Sequence, residues 1–168
     1  MHQRIKACVA VFALSFLLAI ACTWPTVIHP TEVVVGDPQS DIWSHLWGYW
    51  RTERDVLGQG ILPYDEPYLN HPYGGKLYHV DLLNSIYMLP LTAVFGRIAG
   101  FNLLVWLQLA FAGTTMHLLL FEITKSIRVS VVLALLFVLS PFVLSFALAS
   151  GVSERLHFGL LPLYLLFL

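Results

Sequence analysis

The residues best suited to chemistry in this chain fall between Asp37 and Asp81, with a second group at Glu154 and His157. Asp37, Asp41 and His45 recur at four-residue steps, and in a helix that spacing stacks two carboxylates and an imidazole along one face. A carboxylate there could take a proton from an acceptor hydroxyl or help to hold a metal. The rival reading is a cap at Asp37 followed by a solvated polar face with a weak Asp41–His45 pair.

Lys76, His79 and Asp81 follow the Gly74-Gly75 turn and could meet an anionic head group or a diphosphate, or form a charged rim. Glu154 and His157, three residues apart, share one helical side at the mouth of an apolar run. His45, His71 and His79 with Asp37, Asp41 and Asp81 could hold a divalent metal, Mg2+ or Mn2+ if oxygen donors dominate. No H-x-x-x-H or C-x-x-C spacing supports zinc, so no residue is assigned as a metal ligand. Gly74-Gly75 matches neither a phosphate loop nor a dinucleotide fingerprint and reads as a tight turn.

The elements that must carry these groups belong to a membrane protein. Hydrophobic residues make up 58% and charged residues 11% of the chain, and the mean hydropathy is +0.75. A soluble core of this size could not hide that much apolar surface. A net charge of −1 gives no basic footprint for nucleic acid.

The spacing predicts an all-α, polytopic transmembrane bundle: a first span at 7–24, an outer segment over 25–100, spans at 101–121 and 129–149, and the start of a fourth at 156–168. Interfacial helices are expected at 38–57, beginning on Asp37-Pro38 with Trp43, Trp47, Trp50 and Leu57 on one face, and at 82–96. Arg4 and Lys6 before the first run place the N-terminus in the cytoplasm of a cell-membrane protein. A cleaved signal peptide ending near Ala19-Ile20-Ala21 is the alternative.

Leu82 to Gly96 is short for a span. If it does not cross, Lys125 and Arg128 share the inner side with Arg4 and Lys6, leaving four Lys/Arg and one acid inside against five Lys/Arg and nine acids outside. Cys8 and Cys22 would lie about 21 Å apart along one helix, too far to bridge. Asn102, Gln108 and His117 are expensive in lipid and should face other helices or a cavity. The apolar run at Leu168 has no polar stop after it, so a longer protein is expected.

This layout resembles the GT-C superfamily of membrane glycosyltransferases. The resemblance is carried by Gly36-Asp37-x-x-x-Asp41 leading into the tryptophan-rich helix, the Pro/Tyr/Gly loop at 63–75, Leu89-Pro90-Leu91 through Phe95-Gly96, and Phe101-Asn102-Leu103-Leu104. It implies transfer of a sugar from a polyprenyl-phosphate carrier to an extracytoplasmic acceptor, with lipid-linked sugar and membrane lipids as partners. The family's first-loop aspartate would fall on Asp41 or on Asp37, with His45 orienting it and Lys76 or Arg51 neutralising phosphate charge. A non-catalytic scaffold or transporter that binds lipid or a partner is the competing reading.

Overall fold

Along the first apolar run, Ala7, Val11, Ser15 and Ala19 recur at four-residue steps and are all buried, while Ile5, Val9, Phe12, Leu14 and Leu17 point outward. That small-residue stripe lets a neighbouring backbone come close. In the computed structural model, which describes residues 2–62, 64–76 and 81–168, the run is helix α1 (His2–Cys22). Its partner is α4 (Arg97–Thr124).

The two helices run antiparallel, as four contacts along their length show. Arg4 pairs with Glu122 at 3.5 Å, Ser15 packs on Gly113, Phe16 meets Trp106 edge-on at 6.1 Å, and Trp106 Nε1 donates to Thr23 Oγ1 at 2.9 Å. A β-carbon on Gly113 would lie 2.2 Å from Ser15 Oγ, so glycine is needed at this approach.

The remaining helices are α2 (Ile42–Gln59), α3 (Leu82–Phe95), α5 (Ile127–Val138) and α6 (Leu160–Leu166). α5 continues past Ser140-Pro141 as a π-helical stretch, Phe142–Ala149, and 3-10 turns over Ser153–Gly159 lead into α6. Two short strands, β1 (Asp65–Glu66) and β2 (Gly75–Lys76), pair antiparallel. Among the described residues the fold is therefore all-α apart from that ladder, and three stretches, Gln3–Cys22, Arg97–Thr124 and Ile127–Ser145, are long and apolar enough to cross a membrane.

α4 is the spine on which α1, α3, α5 and α6 all pack. Its first turns extend past the end of α1, and α3 doubles back along them: Gln108 Nε2 donates to Asn84 Oδ1 at 2.9 Å, while Gly100 lies under Leu91 beyond the Gly96 corner. Asn102 fixes the connection after α1, accepting from Val35 N–H at 2.9 Å and donating to the Val33 carbonyl at 2.8 Å. The polarity of Asn102 thus clamps a loop rather than a second helix.

The start of α2 differs from the sequence expectation. The helix expected from Asp37-Pro38 begins only at Ile42, after Asp41. The Asp37 carboxylate instead accepts from Gln39 N–H at 2.9 Å, and such a local side-chain bond offers the backbone an alternative to the helix. The turn is held against the loop after α5, where Ser40 Oγ donates to the Ser150 carbonyl and Gly36 lies directly on Gly151. Both glycines have positive φ, 128° and 66°, and a β-carbon on either would strike the other's backbone within 2.8 Å.

Candidate functional site: a buried carboxylate–imidazole cluster

Three elements bring their polar residues to one point. α2 contributes His45 and Tyr49, one turn apart on its buried face; the start of α3 contributes Asp81 and Asn84; the 3-10 turns contribute Ser153, Glu154 and His157. His45 and Asp81 are each only 7% exposed, while the Glu154 side chain remains a third exposed. The Gly36–Gly151 contact sets the distance between the first and third of these elements.

Asp81 is the hub. Its carboxylate accepts from Tyr49 OH at 2.8 Å, Ser153 Oγ at 2.6 Å, Asn84 Nδ2 at 2.8 Å and Asn84 N–H at 3.3 Å as the cap of α3. His157 Nε2 sits 2.9 Å from its other oxygen. Burial alone would push this carboxyl up, but the bonds from His157, Ser153, Asn84 and Tyr49 together outweigh it and hold Asp81 at about 2. The Tyr49 phenol moves the other way, pushed well above its ordinary range by burial and then by the Asp81 charge.

His45 bridges the cluster. Its Nδ1 lies 3.3 Å from Ser153 Oγ and its Nε2 lies 2.8 Å from Glu154 Oε2. Asn84 Nδ2 also reaches the Ser153 carbonyl at 3.0 Å, so the polar chain runs from Gln108 on α4 through Asn84 and Asp81 to the 3-10 turns. Gln108 and His157 are shared with the wall of an apolar groove of about 610 Å³ that Leu83, Ile86, Tyr87, Leu107 and Phe111 also line.

Of the residues singled out from sequence, His45, Asp81, Glu154 and His157 meet here. Asp37 and Asp41 do not: both carboxylates are exposed, Asp41 stands at the start of α2 without a side-chain capping bond, and it touches His45 through the backbone, His45 N–H donating to the Asp41 carbonyl at 3.2 Å. Asp41 and His45 therefore do not share one solvated face; the imidazole turns inward. Arg51 is buried between Glu66 and Asp55, a pairing that holds the β1–β2 ladder to α2 and occupies the guanidinium. Lys76 pairs with Asp65, its cross-strand neighbour. His79 lies outside the described residues.

Tyr49, Asn84 and Ser153 were not anticipated as site residues. Tyr49 carried a usable signal, one helical turn beyond His45 on the same face. So did Gln108, whose polarity within an apolar stretch required a partner and found it in Asn84. Ser153 carried none. When the chain is compared with known proteins, no family model, no curated protein and no solved structure matches it.

Proposed function

We propose that this chain is part of a GT-C-like membrane glycosyltransferase that moves a sugar from a polyprenyl-phosphate carrier to an extracytoplasmic acceptor. In this reading α1, α4 and α5 cross the cell membrane with the N-terminus in the cytoplasm, α2 and α3 lie at the outer surface, and the polar cluster sits at head-group height. The observation that carries the reading is the junction of cluster and groove. Gln108 and His157 belong to both, so a ligand with an apolar chain and a polar head has a place for each end.

In the reaction an acceptor hydroxyl oxygen bonds to the anomeric carbon, the bond from that carbon to the carrier phosphate breaks, and the hydroxyl proton passes to a carboxylate. Asp41, exposed one turn before His45, is the residue assigned to that proton, with Asp37 as the alternative from the family resemblance. A general base contributes about 10²- to 10⁴-fold to rate, so Asp41→Asn in the full-length protein should slow transfer from a polyprenyl-phosphate sugar by that range. Leu107→Trp, which narrows the groove, should weaken use of long-chain donors more than short-chain ones. Unchanged transfer in both variants would remove Asp41 and the groove from the site, and no transfer by the wild type with any lipid-linked sugar would leave the non-catalytic scaffold as the better account.

A further inference from the structure

The proton inventory around His45 leaves one unresolved atom pair. Ser153 has a single hydroxyl proton, and Asp81, which can only accept when ionised, takes it at 2.6 Å. Ser153 Oγ also lies beside Tyr49 OH and 3.3 Å from His45 Nδ1, so on that side the imidazole meets a hydroxyl that is already engaged twice. On its other side His45 Nε2 faces Glu154 Oε2, 2.8 Å away. That oxygen is itself buried and has no hydrogen-bond partner. A ring nitrogen and a carboxylate oxygen this close need a positive centre between them, a proton or a metal ion.

We propose that His45 Nε2, Glu154 Oε2 and the Asp81 carboxylate form a binding site for a divalent first-row transition ion, of the Mn2+, Co2+ or Zn2+ class. One ligand atom from each of the three residues lies within 4.8 Å of the others. Three ligands about 2.0–2.2 Å from one ion stand about 3.0–3.8 Å apart in pairs, so closure on one ion requires side-chain shifts of about 1 Å. One imidazole nitrogen with two carboxylates favours a borderline ion over Mg2+. Behind the ligands the supporting contacts are already in place: Ser153 Oγ meets His45 Nδ1, and Tyr49, Asn84 and His157 hold Asp81, as metal ligands require. Glu154, being partly exposed, leaves an open side for entry.

The inference stands on the cluster alone and not on sugar transfer, although a cation here would also offset the repulsion between these carboxylates and a carrier phosphate. The test is binding without any sugar donor. Purified full-length protein, stripped with chelator, is titrated with Co2+ and followed by its visible ligand-field absorption, then with Mn2+ by electron paramagnetic resonance. The expected result is saturable binding of one ion, lost in Glu154→Gln and weakened about 10- to 100-fold in Ser153→Ala, with Glu32→Gln, an exposed carboxylate outside the cluster, unchanged. Glu154→Gln is close in shape and partly exposed, so it keeps the fold intact, and its elution profile and melting temperature check this. No saturable binding by the wild type would mean that a proton alone joins His45 to Glu154, and equal binding by Glu154→Gln would place the ion on other histidines. Either result overturns the proposal, whatever the outcome of the transfer assay.

Discussion

At the scale of single residues, the cluster shows how a buried carboxylate keeps its charge. Asp81 loses hydration on burial, but the donors arranged around it favour the ionised form by more than that loss. Its folded value lies below the ordinary carboxylate value of 3.8. The resulting stabilisation is therefore complete above about pH 4 and is lost as pH falls toward 2, by about 2 kcal/mol. In chelator-treated protein, melting temperature should drop across that window more steeply in the wild type than in Asp81→Asn; parallel curves would show that the donors do not favour the charge. Local spacing predicted which residue types could act, but not this hub. Asp81 and Ser153 are 72 positions apart, and no local pattern encodes such a meeting.

At the scale of elements, the site depends on the junction between the turn before α2 and the loop after α5. Gly151 has φ +66°, and an added β-carbon would lie 2.8 Å from Gly36 Cα and from the Val35 carbonyl. Gly151→Ala should cost about 2–4 kcal/mol through the left-handed backbone and the overlap. It should also loosen Ser153 from His45. Gly58→Ala is the control, since it meets open space at an ordinary φ and sits within α2, where alanine is the better helix former by about 0.5–1 kcal/mol. Thermal unfolding of the pair checks this, and equal melting temperatures would remove the junction from the account. The helices were legible as apolar runs, because chain length and hydrophobicity are summed locally. The start of α2 was not, since Asp37-Pro38 has the composition of a helix cap and only the packing of Ser40 and Gly36 on the loop at 150–151 makes it a turn.

At the scale of the whole molecule, charge is divided between two ends. Arg4, Lys6, Lys125 and Arg128 line one hollow together, while the acidic cluster and the exposed Asp37 and Asp41 lie past the far end of α1. In the membrane reading the basic end is inner. In a background with Cys8 and Cys22 replaced, Asp41→Cys should react with an impermeant maleimide in intact cells, and Lys125→Cys only after lysis. The reverse order would invert the orientation. The charge pattern grouped Lys125 and Arg128 with Arg4 and Lys6, and the four do line one hollow, but the antiparallel return of α3 along α4 was not legible, because it follows from Asn84 meeting Gln108. The Ser15–Gly113 contact has a consequence for synthesis. About 100 residues separate the two partners, so at about 5–20 residues per second the first helix waits some 5–20 seconds before the one it fits has been made. In the membrane reading the Ser15 hydroxyl faces lipid or a helper protein through that interval, and the intervening segment, which carries His45, Tyr49, Asp81 and Asn84 of the cluster, must be exported before the bundle can close.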